Sequence, residues 1–180
     1  MTANTNLWLY FFVIAGVIIL PGLDMAFVVS SSIKGGYRTG FAAVAGTVAG
    51  GALQLIIGAS GLAVILTLLP AAYMSMLIAG AGYIAWLGWS LLRATSLTTT
   101  SLSQGATNVR QSFVGAFITC MLNPKAYVFM LAIFPQFIRP DGSIWLQTAI
   151  LSVITAATQI IVYGALAIMA VQAGHTLANK

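Results

Sequence analysis

The chain has 180 residues, 60% of them hydrophobic and 5% charged, with a mean hydropathy of +1.01 and a formal net charge of +5. Soluble globular domains carry about a quarter charged residues, so there is no material here for a solvated surface and the expected solvent is lipid. The positive balance does not indicate nucleic-acid binding: Lys34, Arg38, Arg93, Arg110, Arg139 and Lys180 lie scattered at the ends of apolar segments, where membrane proteins carry orientation charges, and only Lys125 falls inside one.

Residues Met1 to Asn6 lack the basic region of a signal peptide, and no small-x-small cleavage site follows Ile19, so the first apolar segment is expected to be retained. Hydropathy predicts spans at about 7–33, 41–66, 72–92, 113–138 and 144–173. Each is long enough to cross a hydrocarbon core of roughly 30 Å at about 1.5 Å per residue. Pro70 divides the uncharged stretch 41–92 into two helices, and Thr95 to Asn108 forms the substantial polar loop. The chain reads as one all-α transmembrane domain over 1–180, with a first unit at about 7–92, a loop at about 93–112 and a second unit at about 113–180. Lys34, Arg38, Arg93, Arg110 and Lys180 fall on one side and Arg139 on the other, which places the N-terminus outside and the C-terminus inside.

Two spans carry helix breaks, Pro21-Gly22 in the first and Asn123-Pro124 in the fourth. Proline removes a backbone donor and clashes with the preceding turn. In lipid the freed groups are tolerated only where protein or a polar cavity satisfies them, so each break is either a packed kink or a binding site. Asp24 and Lys125 are the ionisable side chains within the spans. Asp24 lies ten residues before Lys34, roughly 15 Å deep, and Lys125 thirteen after Ser112, roughly 20 Å deep from the same side. Asp24 reads either as the cap of the half-helix after Pro21-Gly22 or as a functional charge. Asn123 can cap, and Pro124 suits a first helical turn. A cation beside a positive helix end is unfavourable, so Lys125 calls for an anion, Asp24 or a substrate carboxylate; snorkelling or a structural ion pair are the alternatives.

Pro21 and Pro124 are 103 residues apart, and Gln54 and Gln159, the glutamines of spans two and five, are 105 apart. This spacing suggests an internal repeat of three spans, inverted because three is odd, with the broken helices at the repeat interface. In that register span three would recur at about 178–198, beyond Lys180, so the expected bundle has about five spans and lacks its last helix. The surface such a helix would cover should be apolar, which predicts a homo-oligomer. Gly46, Gly50 and Gly51 suit close helix packing, and Gln54, Thr155 and Gln159 either line a polar path or hydrogen-bond between helices. Cys120 is the single cysteine, so no intramolecular disulfide forms.

Pro21-Gly22-Leu23-Asp24, the glycines from Gly36 to Gly50, Gly82-Tyr83-Ile84-Ala85-Trp86-Leu87-Gly88, and Asn123-Pro124-Lys125-Ala126 with Pro135-Gln136-Phe137 occur in this order. Together they resemble the lysine-exporter family, which includes threonine and homoserine exporters. Leu23 stands where that family's break has a second proline, and Cys120 where an asparagine is common. The resemblance implies a multi-pass exporter of amino acids or related metabolites in the bacterial inner membrane, coupled to protons or another ion. The candidate substrate-binding set is Asp24, Asn123, Lys125, Gln54 and Gln159, with Pro21, Gly22 and Pro124 as helix-break residues. The half-helix end and Lys125 would attract a zwitterion's carboxylate, and Asp24 its ammonium or a proton. The sequence carries no P-loop, metal-ligand cluster or nucleophile constellation, so neither an enzyme nor a cofactor is expected. The alternative function is a non-transporting or truncated relative that acts as an assembly partner.

Overall fold

A computed structural model of the protein describes residues 3–68, 74, 75, 78, 82, 107–139 and 141–178. The described elements are α-helices α1 (Ala3–Ile19), α2 (Leu23–Leu68), α3 (Val109–Met121), α4 (Pro124–Ala132) and α5 (Ile144–Ala178), with a short 3-10 helix at Phe134–Phe137. Most of the expected span at 72–92, including Tyr83 and Trp86, and most of the polar loop lie outside the described residues.

Both expected breaks are present. The first apolar segment is α1 followed, after a gap at Pro21-Gly22, by the start of α2. The fourth is α3 followed by α4, with Asn123 between them. Asn123 caps α4 through its side-chain oxygen, which accepts from the Lys125 backbone N–H at 3.0 Å, and Pro124 occupies the first turn. That is the residue pattern cap chemistry favours, since proline's missing N–H would have had no helical partner there.

Where the sequence predicts a loop at 34–40, the structure turns the chain on a single residue. Gly36 has φ +77° and ψ −162°, inside what is otherwise helix. This backbone region is essentially restricted to glycine. Thr39 Oγ1 donates to the Ser31 carbonyl at 2.8 Å. Residues eight apart on a straight helix are separated by about 12 Å, so the arms 23–35 and 37–68 must fold back on each other. Helix hydrogen bonding resumes at once on either side of the glycine, so no loop is needed.

The directions of the long elements follow from their contacts. Gly46 abuts the Phe113 carbonyl and Ala116, while Gly50 abuts Cys120 and Phe117, so the arm 37–68 runs parallel to α3. A side chain at Gly46 would collide with the α3 backbone, which explains the need for glycine. Gly40 meets Ala167 and Gly164 meets Phe41, so α5 runs antiparallel to that arm. Near the end of α5, a notional Cβ on Gly174 would lie 3.8 Å from Ile33. Each described break is thus followed by a long helical stretch, and those two stretches, the arm 37–68 and α5, run in opposite senses.

The core is a seam of Tyr10, Ile14 and Ile18 from α1 against Phe129, Phe134, Leu151 and Tyr163. Tyr10 packs edge-on to Phe137 at 5.0 Å between ring centres. The outer faces stay apolar: Trp8, Leu9, Phe12, Ile56, Ile57, Val153, Ile160, Ile161 and Met169 are all exposed. Helical stretches at Leu23–Val64, which includes the fold-back, and Ile144–Gly174 are long and apolar enough to cross a membrane. An apolar exterior around a core that holds buried polar groups is the arrangement of a helical membrane protein.

Candidate functional site

The two helix breaks meet. Asn123 Nδ2 donates to Asp24 Oδ2 at 2.8 Å, across 99 residues of sequence. The similar depths expected for Asp24 and Lys125 are thus matched by contact between their immediate surroundings. Asp24 and Asn123 are both buried.

Lys125 does not pair with Asp24. Its Nζ donates instead to the carbonyls of Leu20 at 3.0 Å and Val17 at 3.2 Å. These belong to the end of α1, where the break leaves carbonyls without helical donors and the dipole is negative. The anion that Lys125 was expected to need is replaced by a helix C-terminus. Gly22 makes room for this, since a Cβ there would lie 3.1 Å from Nζ.

Gln54 closes the other break. Its Nε2 donates to the Cys120 carbonyl at 2.9 Å, at the end of α3, while its Oε1 faces Cys120 Sγ at 3.6 Å. Gln159 lies against Gly51, whose missing side chain leaves 3.0 Å between a notional Cβ and the amide nitrogen. On α5, Thr155 donates to the Leu151 carbonyl at 2.9 Å and sits 2.7 Å from Tyr10 Oη. With its own proton so directed, Thr155 accepts from Tyr10, which ties α1 to α5.

These groups enclose one cavity of about 50 Å³. Asp24, Lys125, Gln54, Gln159, Thr155, Cys120 and Tyr163 all line it, with Ile14, Phe129 and Met130 as apolar walls. Asn123 stands behind Asp24. Asp24 Oδ1 and Gln159 Oε1 are buried and have no hydrogen-bond partner among the described residues. Pockets that hold a whole small molecule are typically about 300 Å³ or more, so this cavity is smaller than such a pocket.

Tyr10, Cys120 and Tyr163 were not picked out as site residues. Tyr163 sits inside an apolar stretch instead of at a span end, where a tyrosine belt would place it. Tyr163 also follows Gln159 by four residues and so shares its helix face. A larger groove of about 400 Å³ lies at the far end beside Leu7, Phe137, Arg139 and Gln147. Its charges already satisfy one another, with Arg139 and Asp141 paired at 2.7 Å and both exposed. The Arg139 hydrogen bond holds the Asp141 carboxyl below its ordinary value.

The chain is 32% identical over 145 residues to a homoserine/homoserine lactone efflux protein of Salmonella typhi, covering 79% of this chain and 69% of that one. It is 30% identical over 137 residues to a leucine efflux protein of Salmonella choleraesuis, covering 74% and 63%. An uncharacterized membrane protein of Pseudomonas aeruginosa is 32% identical over 143 residues, covering 76% and 65%. The chain thus spans about two thirds of the length of these curated relatives. No solved structure matches it. Residues 4–180, which contain both helix breaks and every residue of the cavity, match the family described as LysE type translocator, and the chain belongs to that family.

Proposed function

We propose that this protein is a secondary transporter that exports amino acids or closely related small amino compounds across the bacterial inner membrane. The observation that carries the reading is the buried polar cavity at the junction of two helix breaks, joined by the 2.8 Å hydrogen bond from Asn123 to Asp24. Broken helices meeting at a central polar site are a recurrent architecture of secondary transporters. The two units, each a broken helix followed by a long one of opposite sense, are read as the inverted repeat that the proline and glutamine spacings suggest.

Among the five candidate residues we assign different parts. Asp24 and Gln159 face the substrate with open oxygens. Asn123, Lys125 and Gln54 hold the breaks in place through backbone groups. The coupling ion in this reading is a proton. The sequence contains two acidic residues, and Asp141 lies in the exposed Arg139 pair, so Asp24 is the carboxylate within the spans that can carry it.

Relatives named for homoserine, homoserine lactone and leucine suggest the substrate class. All three compounds keep a primary amine beside a small side chain, and the lactone has no free carboxylate. Proteoliposomes containing the full chain and loaded with a panel of labelled amino acids test the proposal. Efflux of at least one compound above empty liposomes, faster with an imposed proton gradient, is expected. No efflux of any compound would overturn the reading, and efflux only after co-reconstitution with a second membrane chain would recast this one as an assembly partner.

A further inference from the structure

Donors and acceptors around the cavity do not balance. Asn123 Nδ2 is directed to Asp24 Oδ2, Gln54 Nε2 to the Cys120 carbonyl, and Lys125 Nζ to the carbonyls of Val17 and Leu20. Gln159 Nε2 also makes no hydrogen bond among the described residues, so that amide can present either atom, but the fully buried atoms left open are acceptors. Among the described residues Asp24 Oδ1 and Gln159 Oε1 have no partner, although their residues are only 5% and 7% exposed. Gln54 Oε1 meets nothing stronger than a thiol at 3.6 Å. Buried oxygens are normally paired, and two left open on residues that line one cavity mark a place for N–H or O–H groups, brought by a water or by a ligand.

Resting on the exporter reading for the identity of the ligand, we propose that Asp24 Oδ1 and Gln159 Oε1 form a subsite for the substrate's primary ammonium group, and that a free substrate carboxylate is not required for binding. An ammonium carries one charge and three tetrahedrally directed donors, which suits a carboxylate and an amide oxygen whose residues line one cavity. The cavity of about 50 Å³ admits a group of that size, since a water-sized group needs only about 10–15 Å³ of such space. Lys125, whose charge faces the end of α1, is a positioning residue for the break and not the receptor for the carboxylate.

The test is binding to the full chain purified in detergent, measured calorimetrically with L-leucine, L-leucine methyl ester, N-acetyl-L-leucine and sodium chloride. The ester, which keeps the amine and loses the carboxylate, is expected to bind within about tenfold of leucine, whereas N-acetyl-L-leucine should bind at least about tenfold more weakly, the loss of one charge-assisted contact. Gln159→Met should weaken both amine probes and leave the weak N-acetyl binding unchanged. This variant carries the test even if Asp24→Asn fails to fold. Equal binding of the ester and N-acetyl-L-leucine would overturn the subsite, as would displacement of the ester by millimolar sodium or no binding of either amine. A chain that selects amines in this assay yet moves none in liposomes would refute export and leave the subsite standing.

Discussion

At Asn123 one side-chain amide serves both helix breaks. Its oxygen takes the Lys125 N–H that opens α4, and its nitrogen donates to Asp24 beside the start of α2. Reversing the amide would set nitrogen against N–H and oxygen against a carboxylate, so the two bonds fix each other's sense. Asn123→Ala removes a cap and leaves both Asp24 oxygens unpaired, and should lower stability by roughly 2–4 kcal/mol. Asn123→Asp keeps the capping oxygen but sets a second carboxylate against Asp24, so repulsion should offset the cap's share of about 1 kcal/mol, and both variants should lose export. Thermal unfolding in detergent and liposome efflux check the two variants; equal stability of Asn123→Ala and wild type would remove the bridge from the account. Capping was legible in Asn123-Pro124-Lys125 because it depends on three adjacent residues. The partner of Lys125 was not. Val17 and Leu20 offer backbone carbonyls, which every residue has, and only the end of α1 at Ile19 makes them available.

Glycine decides how the helices pack, and each position does so for its own reason. Gly36 supplies a backbone conformation, while Gly46 and Gly50 supply closeness between the arm 37–68 and α3. Gly61 supplies neither, having nothing within 4 Å of a notional Cβ. Gly46→Ala should therefore force α2 from α3 and cost about 1–3 kcal/mol, the usual penalty of overpacking. Gly61→Ala should be neutral or stabilising by up to about 1 kcal/mol, since alanine favours helix. Unfolding midpoints measured side by side decide the matter, and an equal loss at both positions would mean that helix packing is not what Gly46 provides. The described spans were legible in hydropathy because lipid solvation acts on each segment separately. The fold-back was not. Hydropathy registers Lys34 and Arg38 as an interruption and cannot distinguish a seven-residue loop from one glycine with positive φ. The tight glycine seam was suggested by spacing, but its partner helix could not be, because α3 lies more than sixty residues further along the chain.

For the molecule as a whole, helix direction and charge placement agree. The arm 37–68 and α3 start at the end where Lys34, Arg38 and Arg110 lie, and α5 finishes there beside Ile33. Arg139 lies at the opposite end, near Leu7 of α1. A bundle assembled from alternating spans has to sort its loops in this way, so three basic residues distant in sequence share one end. Basic residues accumulate on the cytoplasmic side, so the expected orientation has the Gly36 turn inside and Asp141 outside. Cys120 is free but buried, so it contributes little background to thiol labelling. Tyr37 and Ser143 are exposed at the two ends, and replacing either leaves the basic count unchanged. An impermeant maleimide applied to intact cells should label Ser143→Cys and spare Tyr37→Cys, and both should react once the membrane is opened. The opposite pattern would invert the bundle. Export would then have to begin from the end now assigned to the exterior, and the charge asymmetry would need a cause other than membrane insertion.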